Sequence, residues 1–469
     1  MRYYKYIVTI SIIFFSVIMF VTCNNAVDGS REKSTKMAAK SEGTCSADPE
    51  WFAATGIPEP TNGNPDSLGE CGFYKWAWHD FLFITQGGNG DNEPRFLSFE
   101  TPGSLFAQTT TTASNFRAAK GLLLLTPQMQ KEQAEPDINE FEQAGTSENL
   151  IDQDGRVIYY AQHLNSVFVK FIKDSGYTDM NKLIHAPDTL KFPSGALELK
   201  SSWKIVPDNE VTDVSKTYFT TKAIVPVFVI DHGKIKVDFS TPPHSVTVAL
   251  LGLHVVGVVD GHPEFIWSTF EHDSIAPDLP NGMDVSASSP VNSARDYILY
   301  KKGTLAKDCN ALSSGSQRLT DPVNQLFDPK ASILRQFPFQ DELIIPLNSS
   351  VKNQLPANSV WKNYSLMGAV WMNRPDTSFK VGRLFKPNEL NDSSNKAIFA
   401  GERELSNVTM ETFTQATQRC FSCHRTTSDN AGSPAFPAKL MNVSHVILKA
   451  YLNSLQTERI NKERLFKKK

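Results

Sequence analysis

Apolar positions along this chain follow a helical rhythm towards its two ends and a strand-like rhythm through its middle. In ECGFYKWAWHDFLFITQ, Phe73, Trp76, Ala77, Phe81 and Ile84 recur at helical spacing, which predicts a helix over 70–86 with one buried face. RVIYYAQHLNSVFVKFIKDSG repeats that spacing at Val157, Tyr160, Leu164, Val167 and Phe171, and predicts a second helix stopping at Gly176. Four runs follow, KTYFTTKAIVPVFVID, KIKVDFST, SVTVALLGLHVVGVVD and EFIWSTFEHD, separated by His-Gly, Pro-Pro and Asp-Gly-His turn signals. They predict antiparallel strands. In VTVALLGLHVVGVV both parities are apolar, so this strand is expected to be covered on both faces.

Beyond Pro280, ARDYILYKKG reads as helix and DELIIPLN as strand, followed by an Asn/Ser/Pro-rich run around 346–360. LSNVTMETFTQATQRCFSCH is helical in pattern, with Asn407 as N-cap and Glu411 in the first turn, where a negative charge is favoured. Phe413, Ala416, Cys420 and Cys423 then share a face that is expected to be buried. MNVSHVILKAYLNSLQ predicts a terminal helix capped by Ser444, with His445, Leu448, Leu452 and Leu455 pointing inward. The sum is an α+β protein: a central, mostly antiparallel sheet flanked by helices, with a C-terminal helical segment packed on it.

The first residues change the picture of where this body works. Arg2 and Lys5 precede the apolar run YIVTISIIFFSVIMFVT, which ends at Cys23 and reads as an export signal. FVTC resembles the bacterial lipobox, with Phe20 and Thr22 where Leu and Gly or Ala are usual, so Cys23 would carry the lipid. An uncleaved anchor helix is the alternative. The chain is therefore divided into a lipoprotein signal peptide (1–23), a polar, flexible tether (24–50), a body with the central sheet (51–400) and a helical segment (401–469). The acidic stretch 130–154 reads as a surface loop. A formal net charge of −3, with 21% charged and 40% hydrophobic residues, is that of an ordinary globular protein and gives no reason to expect nucleic acid as a partner. The terminal KERLFKKK reads as a solvated tail.

Chemistry concentrates in QRCFSCHRTT, where Cys420, Cys423 and His424 form C-x-x-C-H. Two thiols at that spacing match the two vinyl groups of a haem, and the adjacent imidazole matches its iron, so covalent haem c with His424 as proximal ligand is expected. The rival is zinc, which would need a fourth ligand and usually a second C-x-x-C that the chain does not contain. For the sixth iron position the candidates are His445, on the inward stripe of the terminal helix, then Met441, His254 and His272. Glu271 beside His272 offers acid-base chemistry on a bound small molecule, although neighbours on a strand point to opposite faces. With the lipid and haem cysteines removed, Cys45, Cys71 and Cys309 remain. They allow one disulfide, Cys45 with Cys71 being the nearer pair.

The strings VALLGLHVVGVV, IWSTFEHD, TMETFTQATQRCFSCH, LELKSSWK and WAWHDFLFIT together resemble the large single-haem bacterial proteins called cytochrome c family proteins, from about residue 70 onward. A strand-rich body with the haem motif close to the C-terminus is also similar in arrangement to cytochrome P460. The resemblance implies haem c on Cys420, Cys423 and His424 in an exported redox protein. It also marks Glu198, Lys200, Trp203, His254, Glu271 and His272 as signature positions, and it implies no substrate. The expectation is thus an exported c-type cytochrome, lipid-anchored in the bacterial periplasm or outer membrane, that passes electrons to a redox partner protein. A haem oxidoreductase acting on a small substrate, and a haem-based sensing lipoprotein, are the alternatives.

Overall fold

A computed structural model describes residues 45–455, apart from 54, 88–92, 107–121, 124–147, 233, 239, 314–315, 339–340, 386–388, 390–397, 417–419, 429–434 and 453. The apolar run before Cys23, the tether up to Thr44, most of the acidic stretch and the lysine-rich end lie outside the described residues. Among the described residues no helix is long and apolar enough to cross a membrane.

The architecture is α+β, built on an eight-stranded sheet. Its strands are β1 (Leu122–Leu123), β2 (Tyr159–Leu164), β3 (Leu197–Val206), β4 (Thr220–Val225), β7 (His244–Val259), β8 (His262–His272), β11 (Tyr364–Met372) and β12 (Phe399–Gly401). β5 (Phe228–Asp231) with β6 (Lys234–Val237), and β9 (Arg318–Asp321) with β10 (Leu326–Asp328), form separate two-stranded ribbons. The long strand β7 pairs with β3, β4 and β8, and every pairing in the large sheet is antiparallel except β1 with β4. β7 turns into β8 at Asp260–Gly261, where Gly261 has φ +85°, a conformation that glycine adopts without a Cβ clash.

The expected double coverage of β7 is present. One face of the sheet, with Leu199, Leu253, Val255, Ile266 and Phe270, packs against helix α1 (Glu70–Thr85) in one apolar cluster. Trp78 and Phe81 both meet the Phe270 ring, at 4.9 and 4.1 Å between centroids. All the residues predicted for the buried face of α1 are buried, and so are Tyr74, Trp78 and Leu82, so burial extends well beyond one stripe. The other face, with Val256 and Trp267, joins a second cluster that contains Phe421, Met441, Val443, Ile447 and Tyr451 from the C-terminal region. The candidate site residues Glu198, Lys200 and His254 lie on this second face.

Several expectations are corrected. The segment 156–176 is not one helix: Tyr159–Leu164 is strand β2, paired with β3, and only Ser166–Asp174 is helical, as α2. Asn165 separates the two, its side chain accepting the Phe168 N–H at 3.0 Å as an N-cap. Both parities of 157–164 are apolar, so the i, i+3, i+4 spacing was present without a helix. DELIIPLN is not a strand: helix α3 spans Ile344–Gln354, and Asp341 Oδ1 accepts the Leu343 and Ile344 N–H groups at its start. Pro346 sits in the first turn, where its missing N–H costs nothing. ARDYILYKKG is not a helix, because the Asn292 side chain takes the Ala294 and Arg295 N–H groups into a turn and Tyr297 bridges Tyr300.

Cys45 and Cys71 form a disulfide that ties the chain entering the body to α1. The closed loop separates the two cysteines by 26 residues, and in the chain-entropy model it stabilises the fold by about 3 kcal/mol. Cys71→Ser is accordingly expected to lower the unfolding free energy by that amount, read as a lower urea midpoint. An unchanged midpoint would assign the bridge no role in stability.

Candidate haem site

The site starts from the alternation of the central strands. Glu198 and Lys200 are two apart on β3, and the register sets them opposite Val256 and His254 on β7, which in turn lie opposite Trp267 and Thr269 on β8. These side chains therefore share one face. Residues 407–416 and 420–424 are laid across it.

Asn407 does begin a turn as expected, but the helix does not propagate. Its Oδ1 accepts the Thr409 N–H at 3.0 Å, while its Nδ2 donates to Thr269 Oγ1 and the Phe270 carbonyl. Such local and cross-strand bonds compete with helix extension. Gly252 allows this approach, since a Cβ there would stand 2.6 Å from Asn407 Nδ2. Glu411 reaches back to the Asn407 N–H at 2.7 Å, and Thr409 is held by Tyr160 and Ser202. Turns follow, and the helix bearing the cysteines is the single turn α4 (Cys420–Cys423). The expected buried seam is thus corrected: Ala416 and Cys423 are exposed and Cys420 is half-buried, while Phe421 goes into the core. Accessible sulfurs are what covalent attachment to a haem requires.

His424 leaves that turn and points inward. Its Nδ1 lies 2.9 Å from the Val443 carbonyl, which accepts a hydrogen bond from Nδ1–H and so leaves the lone pair on Nε2. Its ring lies 3.9 Å from Trp267 and stacks at 3.7 Å, with planes 13° apart, on His445. Burial holds the His424 imidazole well below its ordinary pKa, and the positive potential from His445, Lys200 and His254 acts in the same sense against the hydrogen bond to Val443. A neutral imidazole is the form that binds iron.

His445 is buried on the first turn of a helix over 445–452, as expected, and its Nε2 lies 3.3 Å from the Cys423 carbonyl. Its stacked position differs from that of a sixth ligand. Two ligands on one iron present ring edges to it from opposite sides, whereas these rings lie face to face. Met441 is fully buried in the second apolar cluster, beside the short helical stretch Leu440–Val443.

Beside the histidines lies a set of buried charges. His254 Nε2 pairs with Glu411 Oε1 at 3.0 Å. Burial pushes Glu411 up, but His254, Lys200 and the Asn407 N–H outweigh it and hold the carboxyl below its usual range. Lys200 is lowered by burial against the pull of Glu411 and Glu198, and Lys449 is lowered to about 8 by burial and by Lys200. Glu198 accepts a hydrogen bond from Ser444 Oγ at 2.6 Å. Burial nevertheless raises its pKa to about 7, against the opposing effects of Ser444 and Lys200.

The structure brings together Cys420, Cys423, His424, His445, Glu198, Lys200 and His254. Glu271 and His272 are placed otherwise. Glu271 is on the same face but is tied to Arg335 and accepts the Val408 N–H at 2.8 Å. His272 is on the opposite face, stacked on Tyr218 at 3.6 Å and bonded to the Thr217 carbonyl and the Ser274 N–H. Trp203 packs in the first cluster, against α1's side of the sheet. Sequence reasoning missed Trp267, Glu411 and Lys449 as parts of the site. Glu411 and Lys449 had a signal in being charged within runs that must pack, but only the fold shows what they face.

A haem has to meet this donor set. Next to Phe421 and His424 lies a small, partly open pocket, lined also by Phe379, Lys380, Arg383 and Arg425. Trp267 Nε1 is buried beside His424 without a hydrogen-bond partner among the described residues. An unsatisfied donor and basic side chains suit the carboxylates of a porphyrin. Among the described residues no group of three or more His, Cys, Asp or Glu side chains converges to hold a metal ion directly, as zinc would need. The residues fit a haem. Comparison with family models, curated proteins and solved structures finds no match for the chain.

Proposed function

We propose that this protein is an exported c-type cytochrome with one covalent haem, held through Cys420 and Cys423 with His424 as the axial imidazole, and that it transfers electrons to a redox partner protein. The observation that carries this reading is the Nδ1 contact of His424 with the Val443 carbonyl, one residue after two accessible cysteines on a single helical turn. That contact fixes the tautomer and orientation an iron ligand needs. When bound, the haem supplies a one-electron couple. The chain's part is to grip the macrocycle, hold the imidazole neutral and keep it against Trp267 and His445. The Cys45–Cys71 disulfide supports the exported location, since such bonds persist in oxidising compartments. Cys23 is the proposed lipid anchor.

Electron transfer is preferred to the oxidoreductase reading because Glu271 and His272, the acid-base pair the sequence offers for a bound substrate, are both engaged in holding the fold. The reduced holoprotein is expected to be reoxidised reversibly by a one-electron acceptor and to be inert to hydrogen peroxide. Turnover of peroxide would replace this reading by the oxidoreductase. His445→Ala is expected to keep the covalent haem and the number of axial ligands, because His445 backs the proximal ring. A ligand lost from the low-spin spectrum in that variant would put His445 on the iron.

A further inference from the structure

Glu198 is a carboxyl inside the protein, 7% exposed, on a strand that otherwise buries Leu197 and Leu199. Among the described residues its hydrogen bond comes from Ser444 Oγ. Ser444 immediately precedes His445, and His445 stacks on His424. The charge that acts on this carboxyl directly is Lys200 on its own strand, and Lys200 in turn interacts with Glu411 on the turn laid over the sheet, with His424 after α4 and with Lys449 on the terminal helix; His254 on β7 pairs with Glu411, and His445 stacks on His424. Glu411 is already matched by His254 and Lys200, so it stays ionised and takes up no proton near neutrality. Among the described residues Glu198 has a hydroxyl as its direct partner and Lys200 along the strand.

We propose that Glu198 is a proton-loading site: when one electron reaches the haem iron from a one-electron donor protein, Glu198 takes up one proton from solvent, and when the electron leaves it releases that proton. This inference rests on the haem reading above. The balance is one electron and one proton in, Fe(III) becoming Fe(II) and the Glu198 carboxylate becoming a carboxylic acid, with no bond to carbon made or broken. The cause is electrostatic. Glu198 is bonded to Ser444, next to the His445 ring that stacks on His424, so an electron arriving on an iron held by His424 would make the potential at this buried carboxylate more negative, and in a poorly screened interior that favours its acid form. Burial already brings the Glu198 equilibrium to about 7, so the extra potential acts where a physiological pH can respond.

The sign follows. Uptake on reduction makes the midpoint potential fall as pH rises, within the window between the carboxyl's equilibrium in the oxidised protein and its higher value in the reduced one. The slope is at most about 59 mV per pH unit, the one-electron equivalent of a tenfold change in proton concentration. The test is a spectroelectrochemical titration of the purified holoprotein from about pH 5 to 9. Wild type is expected to show the sloping window, and Glu198→Gln a flat profile across it. Ser444→Ala removes the hydrogen bond that favours the ionised form, so its window is expected to move to higher pH even if Glu198→Gln fails to fold. A flat wild-type profile, the same slope in Glu198→Gln, or a window unmoved in Ser444→Ala would each overturn the proposal. Protein that carries no haem yields no wave at all, which is the failure of the haem reading and not of this one.

Discussion

Glu271→Ala is expected to destabilise the protein by about 3 kcal/mol, near the lower end of the range for breaking a buried ion pair. Glu271 is 1% exposed and accepts from both Arg335 and the Val408 N–H. Its loss leaves a guanidinium and a backbone donor in a dry interface. Arg335 retains Asp278, which is half-exposed, and this keeps the cost from reaching the upper end. Burial works against the charge of Arg335, but Glu271 and Asp278 outweigh it, so Arg335 cannot escape by losing its proton. Because Val408 adjoins Asn407, the loss also loosens the turn that seats Glu411 on His254. Urea unfolding with an unchanged slope and a lowered midpoint is the expected record. A change below about 1 kcal/mol would mean that this pair is not what holds the turn on the sheet.

The second large effect is chemical. In the Cys420→Ser/Cys423→Ser variant, covalent haem is expected to be absent, because serine hydroxyls form no thioether with a vinyl group. The fold is expected to survive, since Cys423 is exposed and Cys420 is only half-buried at the margin of the second apolar cluster. Far-ultraviolet circular dichroism should therefore match wild type while the denatured chain is colourless. Haem still bonded to the denatured double variant would show that these sulfurs are not the attachment points.

How much of this was legible in the sequence depended on how local the deciding interactions are. The strands β4 to β8 could be read because β-branched residues and turn signals agree over each run, although β7 and β8 are apolar on both faces. Helix α1 could be read because its aromatics repeat over four turns. Residues 156–164 could not, since the apolar run 157–161 with Leu164 satisfies a helical template as well as a strand, and pairing with β3 decided between them. DELIIPLN was lost to its apolar core, when Asp341 as a cap was the stronger signal. The cysteine-bearing stretch misled because Asn407 caps well but then spends its side chain on β8 instead of extending a helix.

The same distinction applies to the site. Cys420, Cys423 and His424 were visible as a contiguous motif. The inward turn of His445 was visible as periodicity, while its stacking on His424 was not, because it depends on how the terminal helix meets α4. Glu198 and Lys200 stood out only through family resemblance. Their physical signal was two charged residues at same-face positions in a strand that is otherwise buried. What they face across the sheet, His254 and Ser444, is set by register and by chain returning more than 200 residues later.

The central claim is that a haem is bonded to this chain at residues 420–424. Its most direct test is the intact mass, under denaturing conditions, of protein exported in a host with haem-attachment machinery, followed by the mass of the peptide containing Cys420 and Cys423. The account predicts the chain plus one haem, with the added mass on that peptide. A chain of unmodified mass, isolated with stoichiometric zinc and no porphyrin, would contradict it.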